Sequence, residues 1–263
     1  MASTATCVRS AVFSAALTGG TRSLLHRLPA VRERLSRKNF RGDDVTLIEG
    51  PAIIAGLSGA AMVDPVLALV AVGSGAFGLV DDVAGSADRR GLKGHVAGLL
   101  HGEVTTGALK ILGIGGTAVL AALLMDRGRL RPIGTPAAAV LIAGSANLMN
   151  LFDLRPGRAL KVALLADLPL LFIDPELAVV PITSGAVVAR HDFAGHSMMG
   201  DTGSNPLGAV LGAAWARHLG TRGRLVAAAG VVALMLSSEK VSFSRVIDAH
   251  PVLHAIDQWG RST

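Results

Sequence analysis

Tyrosine is absent from this chain, and aromatic residues of every kind make up only 3% of its 263 positions. That leaves little material for the aromatic belts found at many membrane surfaces. It also removes the base-stacking side chains that nucleic-acid binders interleave with basic residues, so the net charge of +6 does not point to nucleic acid. A single cysteine, Cys7, excludes an internal disulfide and any cysteine-based metal cluster. Charge is scarce as well, at 17% of residues against the roughly 25% usual for a soluble domain.

Ala, Val, Leu and 32 glycines fill the deficit, and mean hydropathy reaches +0.52. The composition is that of an integral membrane protein, in which glycine lets helices pack closely. The expected fold is all-α, a polytopic membrane helical bundle with about nine transmembrane helices of roughly 15–20 residues. The stretches are 8–26, 46–63, 65–80, 107–125, 134–151, 160–174, 176–190, 205–219 and 224–240. The first lacks a basic start and a small-residue cleavage site, so it reads as a span rather than a signal peptide. No internal repeat stands out, and residues 1–263 read as one integral membrane domain.

Lysine and arginine orient the bundle. With the 27–45 loop inside, alternation puts 17 Lys and Arg inside against 7 outside. The N-terminus is then outside and the C-terminus cytosolic. Cytosolic loops fall near 27–45, 81–106, 152–160 and 190–205, with a cytosolic tail over 240–263. The loop "DRGRLRP" is the exception, with three arginines outside.

The unusual polar motifs fall on that inner side. Asp81 and Asp82 end the third span in "GLVDD", where negative charge opposes the helix dipole. Asn147, Asn150 and Asp153 recur every three residues at the end of the fifth, a drifting helix face that can point into one cleft. Asp201 lies in "MMGDTGSNPLG" before the eighth. Ionisable groups at bilayer depth cost about 2.5–3.5 kcal/mol each, so three acidic motifs on one face suggest a shared site. Singly, each has a plainer reading: solvated helix ends, hydrogen bonding between spans, a capping turn. Mg²⁺ suits such a site, since it takes one or two carboxylates plus substrate phosphates. Arg89, Arg90, Lys93, Arg155, Arg158 and Lys161 lie beside the acids and together can hold an anion. His95, His101, His191 and His196 are not assigned as metal ligands.

Five strings in order, "NFRGDDV" (39–45), "GLVDD" (78–82), "KGH" (93–95), "NLMNLFD" (147–153) and "MGDTGSNPLG" (199–208), carry a resemblance over most of the chain. The chain resembles the polyprenyl-phosphate N-acetylhexosamine-1-phosphate transferases. The resemblance implies a polytopic enzyme that uses Mg²⁺ to move a phospho-sugar from a UDP-sugar onto a polyprenyl phosphate, releasing UMP, in cell-envelope glycan synthesis. It further implies Asp81, Asp82 and Asp201 as catalytic residues, with Asp201 and Asp82 on the metal. Asn147, Asn150, Asp153, Lys93, Gly203 and Ser204 would bind substrate, and a homodimer is left open. Departures from the family pattern are Gly85 and Pro156 where it has acids, and Met198 where it has an aromatic. They motivate the alternative of a catalytically degenerate relative that binds a lipid precursor or acts as an envelope-assembly scaffold. A small transporter is a third class, against which the lack of repeated halves argues.

Overall fold

A computed structural model describes residues 4–39, 42–84 and 106–261. The chain is overwhelmingly helical. Its elements are α1 (Thr4–His26), α2 (Pro29–Arg34), β1 (Ser36–Lys38), β2 (Asp44–Thr46), α3 (Glu49–Ser58), a 3₁₀ turn (Gly59–Met62) and α4 (Pro65–Ala84). Then come α5 (Thr106–Met125), α6 (Gly134–Phe152), α7 (Arg158–Asp167), α8 (Leu170–Ile173), α9 (Pro175–Phe193), α10 (Gly200–His218), α11 (Thr221–Ser238), α12 (Phe243–Ala249) and α13 (Pro251–Gln258).

Three of these helices, α4, α5 and α6, are long and apolar enough to cross a membrane. The count becomes four if α11 and α12, bent by 92°, form one broken span. The expected stretch 160–174 is not one continuous helix. Pro169 has no N–H to continue the helical ladder, and the chain breaks there into α7 and α8. The stretch 46–63 opens with the end of β2 and yields only the ten-residue α3 before the 3₁₀ turn. Among the described residues, extended pairing is limited to the antiparallel pair β1–β2, mostly in the expected 27–45 loop, and one isolated bridge from Thr46 to Ser197.

Proline and aspartate set several helix starts. Pro65 and Pro175 occupy first helical positions, where a missing N–H costs nothing. Asp64 accepts from the Val66 N–H at 2.9 Å, and Asp174 from Leu177 at 3.4 Å. Helix α10 forms the centre, almost wholly buried, with α4, α6 and α3 against it. Hydroxyls glue other pairs: Ser14 of α1 lies 2.7 Å from Ser184 of α9.

Loop segments around 46, 156–157 and 192–197 meet the tail at one end of the bundle, while most of the expected loop 81–106 lies outside the described residues. Thr46 bridges Ser197, the Gly157 N–H donates to Asp192 at 2.8 Å, and Arg261 donates to the Pro156 carbonyl at 2.8 Å. At the other end, Arg224 pairs with Asp126 at 2.7 Å and Arg217 with Asp64, and His218 Nε2 lies 3.0 Å from an Asp174 oxygen.

Candidate functional site

The last turn of α4 carries two adjacent carboxylates that diverge around the helix. Asp82 turns to the start of α10. It accepts the backbone N–H groups of Asp201 (3.2 Å) and Thr202 (2.8 Å) and the Thr202 hydroxyl (2.6 Å). A carboxylate from one helix thus caps another, satisfying orphan donors and the positive end of the dipole. Three of about four acceptor positions on Asp82 are taken this way.

Asp81 turns to α5. Lys110 donates to Asp81 at 2.9 Å and to Asp201 at 2.6 Å, so its ammonium bridges carboxylates 120 residues apart in sequence. All three groups are largely buried. Lys110 is one of the 17 cations counted on the inner side from the sequence and carries no other expectation there. The missed signal was a cation five residues into an apolar helix, too costly to place there without a partner.

Close backbone approach makes the arrangement possible. A side chain at Gly78 would run into the Asp201 carbonyl. Gly200 adopts φ 61°, and a Cβ there would stand 2.7 Å from an Asp82 oxygen. Gly78→Ala is therefore expected to destabilise the protein by about 1–3 kcal/mol through overpacking. Thermal unfolding of the purified protein in detergent measures it.

The asparagine motif lies on the other side of the α10 N-terminus. The Ser204 hydroxyl sits 3.2 Å from Asn150 Oδ1 and 2.7 Å from the Gly200 carbonyl. Asp153 is buried and accepts from the Gly200 N–H. Asn147 is half-buried, one turn earlier on α6. Gly203 is buried against α3, where its added Cβ would meet the Gly50 Cα at 2.9 Å. Lys93, with Asp88, Arg89, Arg90, His95 and His101, lies outside the described residues. Of the string 39–45, Asn39 and Gly42–Val45 are described. They shape the hairpin, with the Asp43 N–H on Asn39 Oδ1 at 3.0 Å.

Two basic residues expected to hold an anion have other partners. Arg158 binds Asp257 through Nε (2.8 Å) and Nη2 (3.0 Å), and Lys161 donates to the Asp257 carbonyl at 2.6 Å. Glu49 went unnoticed in an apolar stretch. It is fully buried, paired with Arg22 at 3.0 Å and bonded by the Ser197 hydroxyl at 2.9 Å, which ties the approach to Asp201 onto α3.

Burial foremost, then the neighbouring Asp192 charge, pushes the Asp153 carboxyl well above the usual range. Burial, opposed by the Gly157 N–H and aided by Glu49, pushes Asp192 up to about 7. A carboxyl with a raised folded-state pKa favours the fold at low pH and loses that contribution as pH rises through its folded value. Asp192→Asn, which keeps an acceptor for Gly157, is therefore expected to gain stability relative to the parent between pH 5 and 8. Paired thermal unfolding curves at those pH values check this.

An apolar cavity of about 660 Å³ runs between α6, α10 and α11, from Phe152 near the site to Leu219. Among the described residues no three His, Cys, Asp or Glu side chains form a ready metal cluster. The Lys110 ammonium nonetheless shows that Asp81 and Asp201 aim at one cation position, and two carboxylates are what Mg²⁺ takes beside substrate phosphates. No protein-family model matches the chain, and no curated protein matches it.

Proposed function

We propose that the chain is a phospho-sugar transferase of the cell membrane, working at the cytosolic face with its N-terminus outside and its C-terminus cytosolic. About nine helical segments would pack within the bilayer, the shorter ones inside the bundle. The donor is a UDP-sugar and the acceptor a polyprenyl phosphate. The observation that carries this reading is the meeting of Asp81, Asp82, Asp201 and Lys110 at one end of the bundle, beside Asn150 and Asp153.

The reaction joins an acceptor phosphate oxygen to the β-phosphorus of the donor. The bond from that phosphorus to the bridging oxygen breaks, and UMP leaves with the electron pair. Catalysis of such transfers rests on positioning and charge stabilisation. Asp201 and Asp81 would hold Mg²⁺, rather than the expected Asp201 and Asp82, because Asp82 is taken up in capping the helix that presents Asp201. Bound there, the ion would neutralise the diphosphate and ease departure of UMP. Lys110 would swing from the carboxylates to the incoming phosphate oxygens. Asn147, Asn150, Asp153 and Ser204 would hold the nucleotide-sugar, and the backbone at Gly203 would stay rigid beneath it. The apolar cavity from Phe152 to Leu219 gives the acceptor chain a path beside the site.

Purified protein with Mg²⁺ and polyprenyl phosphate is expected to release UMP from one member of a panel that includes UDP-GlcNAc and UDP-MurNAc-pentapeptide. Folded protein silent across the panel overturns the reading. A second reading, a degenerate relative that binds a lipid precursor or scaffolds envelope assembly, draws on one observation. Arg158, near the family's missing acid at Pro156, is committed to Asp257. Full complementation of a deletion strain by Asp201→Asn would favour it.

A further inference from the structure

A second cavity, of about 240 Å³, lies between α7 and α9. Leu160, Leu164, Ile182 and Leu207 give it apolar walls, and two ionisable groups, Lys161 and Asp167, also line it. Asp167 is 1% exposed, and neither of its carboxyl oxygens has a hydrogen-bond partner. Its counterparts differ: Asp82, Asp126, Asp153, Asp192 and Asp257 each accept from an N–H group or a cation within the fold. A buried polar group left unpaired is costly and calls for an explanation.

Lys161 does not supply the partner. Its ammonium donates to the Asp257 carbonyl at 2.6 Å and lies 5.0 Å over the Phe193 ring. A metal ion does not suit the place, because one carboxyl among aliphatic walls cannot furnish an oxygen shell. The walls call for an apolar body, and the carboxyl for a group that shares a proton with it. Leu164 and Ala186, both on the lining, are exposed on the flank of the bundle, so the cavity opens sideways. Asp167 lies nine residues along α7 from Arg158, about 13 Å from the end where the loops gather. A phospholipid amine would bring its phosphate among aliphatic walls that offer it no donor. A simple alkyl amine brings none.

We propose that this cavity binds a small apolar amine entering from the bilayer, with its nitrogen paired to Asp167. The neutral amine and the neutral acid share one proton between nitrogen and oxygen, so no net charge enters the bundle.

The test is photolabelling of the full chain in lipid nanodiscs with an aliphatic diazirine carrying a primary amine, the labelled peptides being mapped by mass spectrometry. Label is expected on the cavity segments 160–167 and 181–189. Excess octylamine and Asp167→Asn should each lower it by about tenfold or more, the worth of one charge-assisted hydrogen bond. Octanol should compete far less well. Ala186→Phe, which fills the mouth and leaves the carboxyl untouched, should give the same loss, and it replaces Asp167→Asn should that variant not fold. Equal label in the parent and in folded variants, equal competition by octanol, or no cavity label in folded protein overturns the proposal.

Discussion

Asp201→Ala is expected to lower UMP release by about 10²–10³-fold or more, with the protein still folded in the membrane. The two halves of this expectation rest on different atoms. Turnover depends on the side chain, whose Oδ2 meets the Lys110 ammonium at 2.6 Å where cation and phosphate would converge. The fold depends on the backbone, because Asp82 caps α10 through the N–H groups of Asp201 and Thr202, which the substitution keeps. Asp82→Ala should behave differently and cost about 0.5–2 kcal/mol of stability as a lost cap, besides its effect on rate. Asp201→Ala combined with Lys110→Met should lose little more than the worse single variant, since residues acting as one unit are not additive. UMP release and thermal unfolding, measured on the same preparations, separate the two effects. Asp201→Ala that turns over at the parental rate defeats the transferase reading; one that unfolds shows the side chain to be structural.

The sequence made the meeting of the acidic motifs legible but not the work each acid does. Asp81, Asp82, Asn150, Asp153 and Asp201 stood out because polar groups in apolar runs are costly and so call for partners. Helical spacing and alternation across the membrane then put them at one end. The tasks were not legible, because they depend on which way adjacent side chains turn. Asp81 and Asp82 look alike in "GLVDD", yet one meets Lys110 and the other caps α10. Glu49 and Lys110 carried the same warning as the acids and were passed over inside hydrophobic stretches. Segment boundaries failed for a related reason. Hydropathy sums a stretch such as 160–174 and cannot register that Pro169 divides it. A helix buried within protein, like α10, needs neither the length nor the apolarity of one that faces lipid.

From the sequence the C-terminal tail is expected only as an extension, whereas the structure gives it a load to carry. Asp257 is buried and receives Arg158 through two nitrogens and Arg261 through a third at 2.8 Å. Burial opposes its ionisation, but the Arg158 guanidinium outweighs it and holds the carboxyl below the usual range. Asp257→Leu would leave Arg158, 4% exposed, with its charge uncompensated. The expected loss is about 3–5 kcal/mol, the scale for removing one partner of a buried pair. Asp257→Leu with Arg158→Met should recover a good part of it, because the Arg158 charge is no longer stranded, although Arg261 then keeps only the Pro156 carbonyl. Thermal unfolding gives the magnitudes, and hydrogen exchange over 243–261 shows whether α12 and α13 come loose in the single variant alone. Phe243 stacks on Phe152 at 5.2 Å, and Arg261 bonds the Pro156 carbonyl, so loosening the tail should disturb the turn that holds Asp153. Donor KM should therefore rise in Asp257→Leu and return in the double variant. A single variant within about 1 kcal/mol of the parent would mean that the clamp does not hold that turn, and that Asp153 is positioned by α10 alone.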